Sequence, residues 1–306
     1  MLLFKIYIRL SLLVHPMTTL IVSSTEDPAS TNIKKFLLEF GEWDETDEMF
    51  SHRVYESKKL DSIIVTIDDR HIRHENIDRE VMESLNVELH QLVVVSRHRS
   101  KTGEPTLTTH PLGNFGEARF GGRDRTFVKS SPRLMTELLR LLKKHAENDN
   151  LYHEVCFEVT HHGPYVDIPA LFVEVGSTEE EWKNETPAKT VARALLELLS
   201  RYRSEEDFSS DIPVLVGVGG GHYAPRFTEL AFQKKVAFGH MIPNYQIESN
   251  LVDEEIIRKC IEATPDFKGV YIHRKGLKKQ HVRYFEKLFE DMEIRIFRSA
   301  DLSPLS

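Results

Sequence analysis

Apolar residues recur along this chain with two periods. Short, mostly β-branched runs stand at Leu20–Val22, Ile63–Ile67, Leu92–Val95, Val155–Thr160, Ile168–Val175, Pro213–Val218, Val236–Gly239, Val270–His273 and Ile294–Phe297, and Thr106–His110 is a weaker candidate. Such runs are the signature of buried strands. Between them, apolar residues at helical spacing predict helices over Thr31–Phe40, with Ser30 as cap, and over Pro132–His145, Pro187–Arg203, Arg226–Gln233, Asp253–Glu262 and Lys278–Glu290. Residues 42–56 are acidic and weakly patterned, which predicts surface chain, and 68–74 reads as a turn into a polar strand.

Strands alternating with helices predict an α/β fold with a mixed, mostly parallel sheet flanked by helices. The antiparallel component comes from Val155–Thr160 and Ile168–Val175, whose short connection is too small for a parallel crossover. In a tight hairpin His162 would face Ile168, and Glu174 would lie roughly 20 Å away at ~3.3 Å per residue. No repeat, long linker or low-complexity segment interrupts the pattern, so residues 17–306 are expected to form a single domain. Residues 1–16 are apolar but broken by Lys5 and Arg9, too short to span a bilayer, and are expected to be an extension outside the fold.

The densest polar chemistry lies inside this apolar frame. Alternation along the run from Val155 puts Val155, Phe157, Val159 and His161 on one face, and Cys156, Glu158, Thr160 and His162 on the other. Glu174 interrupts Leu171-Phe172-Val173 and Val175, where an unpaired carboxylate would be costly. Several strands end in histidine-bearing loops, at His98, at His161-His162 and at Gly219–His222. In open α/β sheets the ends of parallel strands are where ligands bind. Neutral imidazoles converging there could hold zinc, or could be hydrogen-bonded core and loop residues. Gly219-Gly220-Gly221 suits a backbone cradle for an anion, or a tight turn. In 115–133, Arg119, Arg123 and Arg125 interleave with glycines and with Phe115, Phe120 and Phe127, a composition suited to phosphates and bases or to a solvated loop.

Composition narrows the field. A net charge of −8 argues against a protein that coats nucleic acid non-specifically but allows a local basic patch. Two cysteines, Cys156 and Cys260, form neither a disulfide framework nor a zinc pattern, which points to a cytoplasmic home.

Taken in order, Ser96-Arg97-His98, Thr109-His110-Pro111, Thr160-His161-His162-Gly163-Pro164, the stretch from Glu174 to Glu179 with Trp182, and Gly217 to Pro225 resemble the archaeal- and plant-type D-aminoacyl-tRNA deacylases. The resemblance runs from Met17 to about residue 299. It implies hydrolysis of the ester joining a D-amino acid to tRNA, zinc dependence, and a fold similar to nucleoside phosphorylases and peptidyl-tRNA hydrolases. On that footing His161, His162, Glu174 and His222 are the expected catalytic residues, with His162, His222 and Glu174 as metal ligands. Arg97, His98, Arg119, Arg123, Arg125, Thr178, Gly219, Gly220, Gly221 and Tyr223 are expected to meet the acceptor end of D-aminoacyl-tRNA. The expected protein is a monomer with no membrane partner. A nucleoside phosphorylase or nucleosidase, and a non-catalytic tRNA-binding protein, are the alternatives.

Overall fold

The computed structural model describes residues 18–202 and 207–305. The expectation for residues 1–16 therefore lies outside the described residues. Strands β1 (Thr18–Ser24), β2 (Asp44–Met49), β3 (His52–Ser57), β4 (Ser62–Ile67), β5 (Leu89–Arg97), β6 (Thr106–His110), β7 (Glu154–Phe157) and β8 (Ala170–Gly176) build one sheet in the order β2-β3-β4-β1-β5-β8-β6-β7. Strands β9 (Val214–Val218), β10 (Ala237–Ile242), β11 (Phe267–Ile272) and β12 (Ile296–Phe297) build a second, all-parallel sheet in the order β10-β9-β11-β12. The α/β class and the mixed, mostly parallel character agree with the sequence. The division into two sheets does not follow from it, because apolar runs carry no mark of which strands they pair with.

In the centre of the large sheet both faces are covered, which is why these strands read as unbroken apolar runs. Ile21, Ile64, Val93, Leu171 and Val173 pack beneath helices α1 (Pro28–Phe40), α3 (Pro132–Asn148) and α5 (Glu185–Arg201). Their alternates Leu20, Val22, Val65, Leu92, Val94 and Phe172 face the other way, toward α2 (Ile77–Leu85) and the chain around Leu112, Val128 and Val166. Each buried side chain of this kind contributes roughly 1.5–3 kcal/mol. The small sheet is covered on one face by the short α7 (Asn244–Glu248), α8 (Glu254–Glu262) and α9 (Lys279–Asp291) through Ile247, Ile256, Ile257, Phe285 and Phe289. On its other face Leu215, Phe238 and Met241 join the core around α3 and α6 (Pro225–Gln233), so these helices lie between the two sheets.

Four local readings are corrected. The acidic segment 42–56 is the hairpin β2–β3, with Phe50 and Ser51 at positive φ in its turn. It lies at the sheet edge with β2 mostly exposed, so burial imposes no alternation on it. The polar strand expected after Asp68 is a short 3-10 turn, His71–Arg73, followed by α2, which the sequence pattern left unmarked. Helix α1 begins at Pro28, capped by the Asp27 carboxylate accepting from the Ser30 amide, so Ser30 is inside the helix. Finally, β7 and β8 are not a hairpin. Strand β6 lies between them, parallel to β7 and antiparallel to β8. No described helix is long and apolar enough to cross a membrane.

Candidate functional site

Inserting β6 between β7 and β8 makes the site. In register, Glu174 on β8 lies between Ser96 on β5 and Thr108 on β6, and His110 lies opposite Phe172. Pairing continues past β5, where the His98 amide donates to the Val175 carbonyl and Trp182 Nε1 donates to the His98 carbonyl at 2.9 Å. After β7 the chain crosses to the small sheet. The Glu158 amide donates to Thr109, the Val159 amide to His222 and the Thr160 amide to Met241. The Thr160 hydroxyl accepts from the Met241 amide at 2.9 Å and lies 3.1 Å from His240 Nδ1. This stitch carries Glu158, His161 and His162 into the cleft between the sheets and sets His222 beside them.

The result is a buried cluster of two carboxylates and five imidazoles. Glu158 lies 3.1 Å from His98 Nδ1, 2.8 Å from His222 Nε2 and 3.6 Å from His161 Nε2. Glu174 lies 3.4 Å from His98 Nδ1 and 3.8 Å from His110 Nε2. The rings of His110 and His161 are 4.1 Å apart, and those of His161 and His162 are 4.3 Å apart. Close approach does not mean satisfied bonding here. Among the described residues neither Glu158 oxygen nor His110 Nε2 has a hydrogen bond of proper geometry. Buried polar atoms are rarely left so, and a bound cation is one of the few groups that would satisfy them together.

Three of the imidazoles share a further feature. His110 Nδ1 is 3.2 Å from the Pro111 carbonyl, His161 Nδ1 is 2.8 Å from the Val159 carbonyl, and His162 Nδ1 is 2.7 Å from the Gly163 carbonyl. A carbonyl accepts only, so each Nδ1 carries the proton and each Nε2 keeps its lone pair. Metal-bound histidines are oriented in this way. Three overlapping sets have donor atoms within 4.8 Å of one another: His110, His161 and His162; His98, Glu158 and His222; and His110, Glu158 and Glu174.

The charges suit the same purpose. At His98 burial opposes the charged form, but Glu158 and Glu174 outweigh it and raise the pKa to about 9. Burial alone would raise both carboxyls, yet His98 and its neighbours hold Glu158 at about 2, and His110 and His98 hold Glu174 well below the usual carboxylate range. Burial and the nearby His110 push His161 well down and His162 to about 4. Burial opposes the charged form of His110 too, but Glu174 outweighs it and raises His110. The cluster thus pairs ionised carboxylates with neutral imidazoles only at His161 and His162, and a cation bound beside them would have to displace the proton favoured on His110.

A cavity of about 430 Å³ opens onto this cluster. His98, His161, His162, Glu174 and His222 line it, and Arg70, Arg97, Arg99 and Phe120 stand around them. The guanidinium groups of Arg97 and Arg99 each lie 5.0 Å from the Trp182 ring, which fixes two positive charges at the cavity. His162 and Glu174, distant in a tight hairpin, therefore share one cavity.

The other expected residues are more dispersed. Arg119 pairs with Glu117, Arg125 pairs with Asp253, and Arg123 lies 3.6 Å over the Tyr165 ring; none of the three lines the cavity. Tyr223 reaches His98 Nε2 through its hydroxyl at 3.1 Å. Thr178 caps the short helix α4 (Glu179–Lys183), its side chain accepting from the Glu181 amide. Gly219 and Gly220 have φ of 93° and 106°, but the Gly219 amide is taken by the Ile242 carbonyl. His110 and Glu158 are the members that sequence reasoning missed. Each carried a faint signal: a histidine at the end of a strand, and a second carboxylate within an apolar run.

Fold and site together define an α/β protein with a buried histidine–carboxylate centre where two sheets meet. The family model described as D-aminoacyl-tRNA deacylase matches residues 85–297. A D-aminoacyl-tRNA deacylase of Thermococcus onnurineus is 36% identical over 280 residues, covering 91% of this chain and 98% of that protein. One of Methanosarcina acetivorans is 34% identical over 288 residues, covering 92% of each. A crystal structure of a conserved protein of unknown function superimposes with a TM-score of 0.84 at 31% identity, covering 95% of this chain and all of that one. The chain belongs to the D-aminoacyl-tRNA deacylase family.

Proposed function

We propose that the protein hydrolyses the ester of D-aminoacyl-tRNA in the cavity above Glu158 and Glu174, using zinc held by His110, His161 and His162. Family membership makes D-aminoacyl-tRNA deacylation the reaction. The observation that carries the zinc reading is the shared Nδ1-to-carbonyl contact of three histidines that each bring a ring nitrogen within 4.8 Å of the others. A cation bound there would lower the pKa of a water and stabilise charge developing on the ester carbonyl.

The chain's own residues account for the remaining needs. Water adds to the ester carbonyl carbon, the bond to the ribose oxygen breaks, and the ribose leaves as a hydroxyl, so one group must accept a proton and return it. His222 is the candidate. Its side chain is 36% exposed at the cavity, and Glu158 lies 2.8 Å from its Nε2, within reach to orient the ring. His98 neutralises the two carboxylates, and its backbone is held by Trp182. Arg97 and Arg99 offer positive charge to the acceptor end of the tRNA. His98, Glu158 and His222 form a second donor set, so zinc content tests His222 as ligand against base: loss of a ligand lowers bound zinc, loss of a base does not. We take the working unit to be a monomer.

The test is a comparison of D-Tyr-tRNA and L-Tyr-tRNA as substrates, with zinc content measured on the same sample. Release of tyrosine from the D-ester alone, by a sample holding zinc, is expected. Phosphate-dependent release of a base would favour the nucleoside phosphorylase alternative, and tight tRNA binding without turnover a non-catalytic role.

A further inference from the structure

Three phenylalanines occupy the arginine- and glycine-rich stretch, and only one faces water. Phe115 and Phe127 are buried against each other, with ring centroids 5.0 Å apart at 71°. Phe120 is 63% exposed and lines the cavity. An aromatic ring left in water normally sits on chain free to move, but this one is held from several sides. Gly121 and Gly122 have φ of 80° and 81°, and a Cβ on Gly121 would lie 1.5 Å from the Ile72 carbonyl oxygen. The Asn114 side chain donates to the Gly121 carbonyl at 2.9 Å, and the Gly122 amide donates to Glu75 at 2.6 Å. The Gly163 amide, next to His162, donates to the Phe120 carbonyl at 3.4 Å. The loop is thus built against the same segment that carries the site histidines.

From this geometry we infer that the Phe120 ring is the stacking platform for the terminal adenine of the tRNA. The inference rests on the reading of the cavity as the active site. A substrate esterified on its terminal ribose must bring the attached base within a few ångströms of the scissile bond. Any base offers a π-face, and an exposed ring fixed in place is the residue type that recognises it. The surrounding Arg70, Arg97 and Arg99 supply charge for the adjoining phosphates, and Trp182 holds the latter two in position.

The experiment compares Phe120→Leu, Phe120→Ala and Phe120→Trp in the full chain, with D-Tyr-tRNA as substrate. Base–aromatic stacking predicts a rise in KM of about 5- to 150-fold for the leucine and alanine variants, with kcat within about two-fold of wild type. Tryptophan should restore KM. Deacylated tRNA ending in 2-aminopurine should change fluorescence on binding to wild type and Phe120→Trp but not to Phe120→Leu. Because the ring is exposed, all three variants should melt with the wild type. An unchanged KM in Phe120→Leu, a leucine variant as good as tryptophan, or a KM change that follows a fall in melting temperature would each overturn the inference. His162→Ala separates this failure from failure of the site itself. Loss of activity there alongside a silent Phe120→Leu overturns only the stacking role, whereas full activity in His162→Ala removes the cavity assignment.

Discussion

Glu158→Gln keeps shape and removes one charge from the centre of the cluster. With metal removed by chelation, Glu158 and Glu174 are the anions that hold His98 protonated, raising it from 6.5 to about 9. A histidine raised in this way contributes stability that is fully present below pH 6.5 and is lost as pH rises through 9. At pH 7.5 the linkage amounts to about 2 kcal/mol. Glutamine cannot supply the charge, and Glu174 at 3.4 Å retains part of the effect. The variant apoprotein should therefore lose up to about 2 kcal/mol at pH 7.5, or roughly 3 °C in melting temperature for a chain of this length. It should also show a flatter decline in stability between pH 6.5 and 9. Thermal unfolding followed by circular dichroism across that range reads both. In the metal-loaded enzyme the same change should cost about 10- to 100-fold in deacylation, as for other groups that orient metal-site histidines. Wild-type melting together with an unchanged pH profile would refute the charge coupling.

His162→Ala and His222→Ala should each reduce deacylation by about 10²- to 10⁴-fold while the fold persists, and the double variant should be scarcely worse than the worse single one. Zinc content should fall in His162→Ala, and near-normal turnover in either well-folded variant would remove that residue from the mechanism. Arg97→Ala with Arg99→Ala should weaken tRNA binding and reduce the slope of log affinity against log salt by about 1.4 if both meet phosphates of a single strand; an unchanged slope assigns them to packing on Trp182. His240 is fully buried, and burial lowers it to about 4. Its neutral form stabilises the fold above pH 6.5, and that contribution, about 3 kcal/mol at its limit, is lost as pH falls toward 4. Denaturant unfolding between pH 7 and 4 should show a slope that His240→Gln flattens, and an equal slope in both proteins would count against it.

Much of the scaffold is determined locally. The alternating faces of the strand at 63–67, the Pro132 that opens α3 and the apolar stripe of α5 from Val191 to Leu199 each record a burial pattern within a few residues. Local burial is written into composition wherever it is strong, which is why the edge hairpin β2–β3 and the short α2 left no clear trace. The odd carboxylate at 174 and the paired histidines at 161–162 likewise announced a site, because apolar strands do not carry such groups without a partner. What tertiary structure alone decided is which partners they have. Strand pairing depends on contacts far apart in sequence, and nothing in residues 106–110 states that β6 will lie between β7 and β8. That insertion brings His110 and Glu174 together, and the crossing of 158–162 to the second sheet brings Glu158 to His222. Likewise, Phe115, Phe120 and Phe127 are alike in sequence, and only packing left Phe120 exposed at the cavity. Residue type and local period belong to the chain, whereas the convergence of donor atoms is set by the long-range pairing that folding selects.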